Sequence, residues 1–362
     1  FGYYYLGKLY YDGLMGNRKL DVALQKFKKA RDLGISDTIT DIDNIILILE
    51  EDQKDVEKLK KSDNPVNWYI LGEKYWEEDR FEDAVKYYQK GYQAKHLGST
   101  FNLAICYRDG VGVKRSLEEY KKLCFLFIKW AEAENNQIEM GKGYYDLGAY
   151  YYYQQLGITL SIKFLQKAIE CNNASAFYLI GLFYRDGKEP YLKKNYQKAI
   201  SHLSEACNLQ HSEAMYQLGK YYYNRFDDEK AYQDVLDKSS QIIEGKCAHE
   251  TKKAIKYLTS AAKRGVNSAT LLLAHILSNG LGIKAQPEKG LLLYGICVME
   301  GSNEAYNQLL KLSENNQDII EKYNFSRGEE EALQKFQEII GDDSDKIKLN
   351  IINDLRKELS FK

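Results

Sequence analysis

Seven times along this chain a leucine or isoleucine stands directly before a small residue inside an aromatic-rich segment. The small residue falls at 7, 72, 104, 148, 181, 219 and 274. Segments such as "WYILGEKYW" (68–76), "FYLIGLFYRDG" (177–187) and "MYQLGKYYY" (215–223) are copies of one unit, with a weaker copy, "AYNQLL", at 305–310. The gaps are 65, 32, 44, 33, 38 and 55 residues. A second segment follows each first one, with small and large residues at steps of four, three and four: Ala23, Phe27, Ala30, Gly34; Ala199, Leu203, Ala206, Gln210; Ala254, Leu258, Ala261, Gly265. Ala84, Tyr88, Gly91 and Gly290, Tyr294, Cys297, Gly301 repeat this spacing. Such steps mark one face of a helix. Alanine on that face lets a partner helix approach closely, and the terminal Gly supplies a left-handed stop. Each unit is therefore a helical hairpin that cannot bury its apolar faces alone. Stacking against its neighbours buries them.

Leu-Gly-x-x-Tyr, a Gly-x-Gly-Val-type loop ("GVGV" at 110–113, "GLGI" at 280–283) and a following Lys-Ala helix together resemble the Sel1-like repeat, a relative of the tetratricopeptide repeat. "WYILGEKYWEEDRFEDAVKYYQKGYQAKHLG" lacks that loop and is closer to the tetratricopeptide form. The expected fold is all-α: a right-handed α-solenoid of about eight hairpins over residues 1–310, with 311–362 as a C-terminal helical cap or partner-docking helices. Residues 35–65 read as a degenerate unit and 226–250 as an insertion. The tail shows two amphipathic segments, Ala332, Phe336, Ile339, Ile340 and then Ile347, Ile351, Ile352, Leu355.

Taking the small residue as position zero, −1 is Leu or Ile throughout and +3 is Tyr in six units: Tyr10, Tyr75, Tyr107, Tyr151, Tyr184 and Tyr222. Both are expected in the hairpin interior. Another stripe runs through −3, +1 and +4. Position −3 is Tyr4, Tyr69, Phe101, Tyr145, Tyr178, Tyr216 and Leu271; +4 is Tyr11, Trp76, Arg108, Tyr152, Arg185, Tyr223 and Ser278. Aromatic and cationic residues mixed in this way suit an exposed surface better than a dry core. They are also the types enriched at binding hot spots. In the tetratricopeptide family the matching positions line a concave groove, and the resemblance implies the same here. Within the quartet 150–153, Tyr151 is expected in the core, Tyr150 between hairpins, and Tyr152 and Tyr153 toward the groove. Arg108 and Arg185 are expected as groove cations for acidic groups.

The function this implies is a non-catalytic scaffold or adaptor that holds a partner protein or extended peptide. Two alternatives stand beside it: a regulatory subunit or enzyme whose activity resides in the 226–250 insertion and the tail, and a carbohydrate-binding solenoid. No catalytic residue, cofactor or metal site is assigned. Cys247, His249 and Glu250 in "CAHE" lack a second cluster at metal-ligand spacing. No HExxH, GxSxG or Walker loop occurs. A net charge of −1 argues against nucleic-acid binding, and no apolar run has the length of a membrane span. Six scattered cysteines with no CxxC read as reduced thiols in apolar positions. The expected compartment is cytoplasmic. Because the sequence opens inside a helix without Met and reads as a fragment, a periplasmic or secreted origin stays open.

Overall fold

The computed structural model describes residues 2–11, 14, 19–32, 39–155, 157–188, 191–224, 240–281, 283–315 and 343–358. Its helices are α1 (Gly2–Tyr11), α2 (Leu20–Asp32), α3 (Ile39–Lys60), α4 (Pro65–Glu77), α5 (Phe81–Gln93), α6 (Leu97–Asp109), α7 (Leu117–Ala133), α8 (Gln137–Tyr153) and α9 (Ile158–Glu170). These are followed by α10 (Ala174–Asp186), α11 (Tyr196–Asn208), α12 (Ser212–Asn224), α13 (Ser240–Lys263), α14 (Asn267–Asn279), α15 (Pro287–Met299), α16 (Asn303–Asn315) and α17 (Ser344–Glu358). No strand occurs among the described residues. The chain forms two compact units, residues 1–172 and 173–362.

Within each unit the helices pack as consecutive hairpins, α1–α2, α4–α5, α6–α7, α8–α9, α10–α11, α12–α13 and α14–α15, each against the next in line. This is the α-solenoid that the repeat implied, with seven hairpins among the described residues. The degenerate unit at 35–65 is not a hairpin. Its described part is the single 22-residue helix α3, which packs between α2 and α4.

Local chemistry sets the helix starts. Asn64, Ser116, Asn136, Asn173 and Asn195 each accept a backbone N–H of the first turn through a side-chain oxygen, which satisfies a donor the helix cannot. His96 and His211 do the same through Nδ1, from Ser99 N and Ala214 N at 3.2 Å. Left-handed residues close the turns, but not only Gly or Asn: Asp79, Lys95, Gln155 and Gln210 also carry positive φ. Gly34 lies outside the described residues.

The interior follows the repeat register. Leu71, Leu103, Leu147, Ile180, Leu218 and Leu273 at −1 are buried. Position zero is small because the second helix crosses there. A Cβ on Gly72 would stand 2.3 Å from the Tyr88 ring, and on Gly219 2.7 Å from the end of Leu258. The +3 tyrosines depart from expectation. Of the six, Tyr75 is buried while the others are only partly so. They stack at the hairpin edge on the residue before the large second-helix side chain: Tyr75 on Tyr87, Tyr151 on Phe164, Tyr184 on His202 and Tyr222 on Tyr257. A cation lies over each, Arg80, Lys121, Lys198 and Lys253 in turn. A flat ring and a cation cover the ring faces, so these residues pack at the edge, Tyr75 buried and the other three partly so.

The Tyr quartet is thus re-ordered. Tyr150 is the buried ring, 4.8 Å from Tyr120 of the preceding hairpin. Tyr151 sits at the edge, Tyr152 is half-buried, and Tyr153 is 67% exposed. The helix meets its own partner on one side and the preceding hairpin on another, so rings are accommodated nearly all round.

Helix α13 begins at Ser240, so residues 240–250 of the expected insertion continue into a second helix rather than forming a separate loop. Residues 225–239, the side chains of Cys247, His249 and Glu250, and the segment Ala332–Ile340 lie outside the described residues. The last tail segment is α17. It buries Ile351, Ile352 and Leu355 against α13 and α15, so it lies across the second helices of two hairpins.

Candidate functional site

Once −1, zero and +3 are committed to the partner helix, the 100° step of the helix leaves −3, +1 and +4 on another face. Every −3 residue of the repeat is partly buried, as is every +4 residue except Tyr223, which is 9% exposed. The stripe is therefore a lined surface rather than a fully solvated one. Its members divide according to what they touch.

In the first unit the stripe is largely saturated by the chain's own groups. Tyr4 and Tyr11 both approach the Phe27 ring edge-on, at 6.0 and 6.4 Å. Trp76 meets Phe81 edge-on at 4.9 Å. Phe101 packs on Phe127, and the Lys142 ammonium lies 4.0 Å from its centroid. Glu73, at +1, accepts from the Tyr88 hydroxyl at 2.5 Å, the Asn102 amide at 2.6 Å and the Tyr69 hydroxyl at 3.2 Å. Tyr145 and Tyr152 are half-buried, Tyr152 lying 5.1 Å from Tyr153.

Arg108 is not the free groove cation that the sequence suggested. Its guanidinium donates to both carboxylate oxygens of Asp109 at 2.8 Å and to Asp146 Oδ1 at 2.9 Å. Asp146 also accepts from the Tyr120 hydroxyl at 2.6 Å. Burial pushes the Asp146 carboxyl upward while Tyr120 and Arg108 pull it down, and the net direction is up. Arg185 in the second unit is likewise engaged, with Asp186 at 2.6 and 3.0 Å and with the Gln217 side-chain oxygen at 2.7 Å. The physical reason is shared. The +4 arginine reaches position −2 of the next first helix, where Asp146 or Gln217 offers an acceptor. Position −2 was not singled out in the sequence, yet it decides whether the stripe closes.

Two −3 tyrosines have another task. Tyr178 stacks on His211 at 4.6 Å and Tyr69 lies 5.2 Å from His96. Each covers the histidine that caps the next first helix. Burial lowers the pKa of both histidines. That keeps Nδ1 unprotonated and able to accept.

The stripe opens between α12, α14 and α16 in the second unit. Position −2 on α14 is Leu272, which has no polar atom to give. A cleft of about 320 Å³ lies there, lined by Tyr216, Lys220 and Tyr223 of α12, Ser268, Leu271, Leu272 and His275 of α14, Tyr294 of α15, and Glu304 and Gln308 of α16. Its walls include −3, +1 and +4 of α12 and −3 and +1 of α14, the stripe expected to bind. His275 Nδ1 lies 3.3 Å from the Tyr294 hydroxyl and 3.2 Å from the Asn279 amide. Burial above all, with Tyr223, Cys297 and Glu304 nearby, pushes the Tyr294 phenol up, so it stays a hydroxyl donor. The cleft thus joins an apolar floor to a phenol hydroxyl, an imidazole and one side chain of each charge. Among the described residues there is no cluster of three or more metal-ligating side chains, and no helix is long and apolar enough to cross a membrane.

The Sel1 repeat matches residues 1–35, 99–119, 141–173, 174–211, 212–233, 246–266 and 267–295, more than half of the chain. Among solved structures, a Sel1 repeat protein from Oxalobacter formigenes is 22% identical with a TM-score of 0.52, covering 76% of this chain and 97% of that one. The protective antigen c5321 of uropathogenic Escherichia coli strains, which displays an SLR fold, is 16% identical with a TM-score of 0.42, covering 97% and 78%. The immunity protein Pa5087 from Pseudomonas aeruginosa is 19% identical with a TM-score of 0.41, covering 68% and 81%.

Proposed function

Because the chain belongs to the Sel1 repeat family, whose members generally mediate protein–protein interaction, we propose that it is a non-catalytic scaffold or adaptor that takes a partner protein or extended peptide along the −3, +1, +4 stripe. The observation that carries this reading is the cleft between α12, α14 and α16, where the stripe's side chains surround open space instead of one another. Its volume is at the small end of ligand pockets, roughly 300–1,000 Å³. That suits one large side chain with its flanking backbone. Tyr216 and Tyr223 supply wide contact area with few torsions to freeze. A cytoplasmic setting belongs to the same proposal. Cys106, Cys124, Cys207 and Cys297 are buried as core side chains, and burial lifts the thiols of Cys106, Cys207 and Cys297 to about 12.

The test is affinity capture from native lysate with the full chain and with a Tyr216→Ala, Leu271→Ser variant whose thermal unfolding matches the unsubstituted chain. Loss of a captured protein in the variant is the expected result. Retention of every captured protein by the folded variant overturns the reading.

A further inference from the structure

The two charged side chains of the cleft stand on opposite walls. Lys220 projects from α12 and Glu304 from the first turn of α16, with α14 between them as the floor. Both are exposed, and neither has an ion-pair partner among the described residues. On the stripe Glu73 is hydrogen-bonded across to Asn102 of the next first helix, and Arg108 is paired with Asp146. Among the described residues no ion pair joins the two cleft charges. Between them lie Leu271, Leu272 and the rings of Tyr216, Tyr223 and His275, a floor for an apolar or aromatic side chain.

We propose that the cleft recognises an extended peptide of mixed charge, presenting an acidic side chain to Lys220, a basic one to Glu304, and an aromatic or large apolar side chain between them over α14. This rests on the peptide-binding reading above and adds the chemistry of the ligand. A uniformly acidic segment would leave Glu304 facing a like charge, and a uniformly basic one would do the same to Lys220, so the cleft selects against both.

Three labelled peptides test it by fluorescence polarisation with the full chain: acetyl-Glu-Ala-Phe-Ala-Lys-amide mixed with its reversed order, acetyl-Glu-Ala-Phe-Ala-Glu-amide, and acetyl-Lys-Ala-Phe-Ala-Lys-amide. The mixed-charge pair is expected to bind about threefold to fivefold tighter than either uniform peptide at low salt, the range of one exposed ion pair. Lys220→Glu is expected to shift the preference to the basic peptide and Glu304→Lys to the acidic one. Equal affinities for all three, or a ranking unmoved by either substitution, overturns the charge reading and leaves a peptide cleft standing. No binding of any of the three at millimolar concentration removes the peptide-binding cleft itself, and the charge reading with it.

Discussion

The junctions α4/α6/α8 in the first unit and α12/α14/α16 in the second carry the same stripe in the same register, yet the first is crossed by polar bonds and the second is lined around an open cleft. In the first, position −2 is Asn102 and then Asp146, and each takes part in a polar bond with the preceding first helix. In the second, −2 is Leu272, and α12 faces its neighbour across open space. The repeat fixes which face of the first helix is presented. One residue per junction decides whether that face is stapled shut or left open.

The largest expected effect breaks this contrast at its strongest staple. Asp146→Ala takes the carboxylate from the Tyr120 hydroxyl and from one Arg108 nitrogen, while Arg108 keeps its pair with Asp109. Losing hydrogen bonds to a charged group costs about 1.5–3 kcal/mol. Gln217→Ala, the equivalent change in the second unit, removes a half-exposed bond to Arg185 and costs about 1 kcal/mol. Equilibrium denaturant unfolding reads both, and equal losses would show that −2 does not distinguish the junctions in the way described.

Next in size is the helix crossing. Gly72→Ala drives a methyl into the Tyr88 ring, which is 1% exposed and held by its hydroxyl on Glu73, so it cannot step aside. Overpacking of this kind costs about 1–3 kcal/mol. Gly219→Ala meets the flexible end of Leu258 and should cost less. Thermal unfolding of the two variants compares them directly, and a larger loss at Gly219 would reverse the assignment.

Smaller still is a pH effect shared by the units. His96 and His211 have pKa values lowered by burial, so the unfolded chain takes up protons first as pH falls below the ordinary histidine value of about 6.5. Stability is therefore full above that value and declines as pH falls through it toward the lowered folded values. Once protonated, Nδ1 no longer accepts Ser99 N or Ala214 N, and a lost cap costs about 0.5–2 kcal/mol. His96→Asn and His211→Asn keep a cap acceptor that does not titrate. Each should flatten the melting-temperature decline between pH 7 and pH 5. An unchanged slope in both would remove the histidines as its cause.

Most of the fold was legible because apolar periodicity and small residues at fixed steps are local signals. Leu71 beside Gly72, or Leu218 beside Gly219, states both the face and the crossing. The degenerate 35–65 segment was legible as helix but not as a lone helix, because nothing in "TDIDNIILILEEDQKDVEKLKK" says whether a second helix pairs with it. The stripe was legible as a surface. Its partition was not, since Arg108 meets Asp146 across 38 positions and such distant pairing leaves no trace in a periodic pattern. The same holds for Tyr151, whose burial depends on where Phe164 stands at the hairpin edge.

The smallest expected effect draws the sharpest line between the two regions. Lys220→Ala removes an exposed charge and should leave stability within about 0.5 kcal/mol, and Glu304→Ala, which also takes an acid from the first turn of α16, should cost no more than about 1 kcal/mol. Arg108→Ala removes a cation from a network, and hydrogen bonds to charged groups are worth about 1.5–3 kcal/mol. A charge kept on a lined surface without contributing to folding is available for another molecule, whereas a charge that folding consumes is not. If Lys220→Ala or Glu304→Ala destabilised the chain as much as Arg108→Ala, the cleft would be one more internal staple. The distinction between a closed and an open stripe would then fail at the place where it matters for binding.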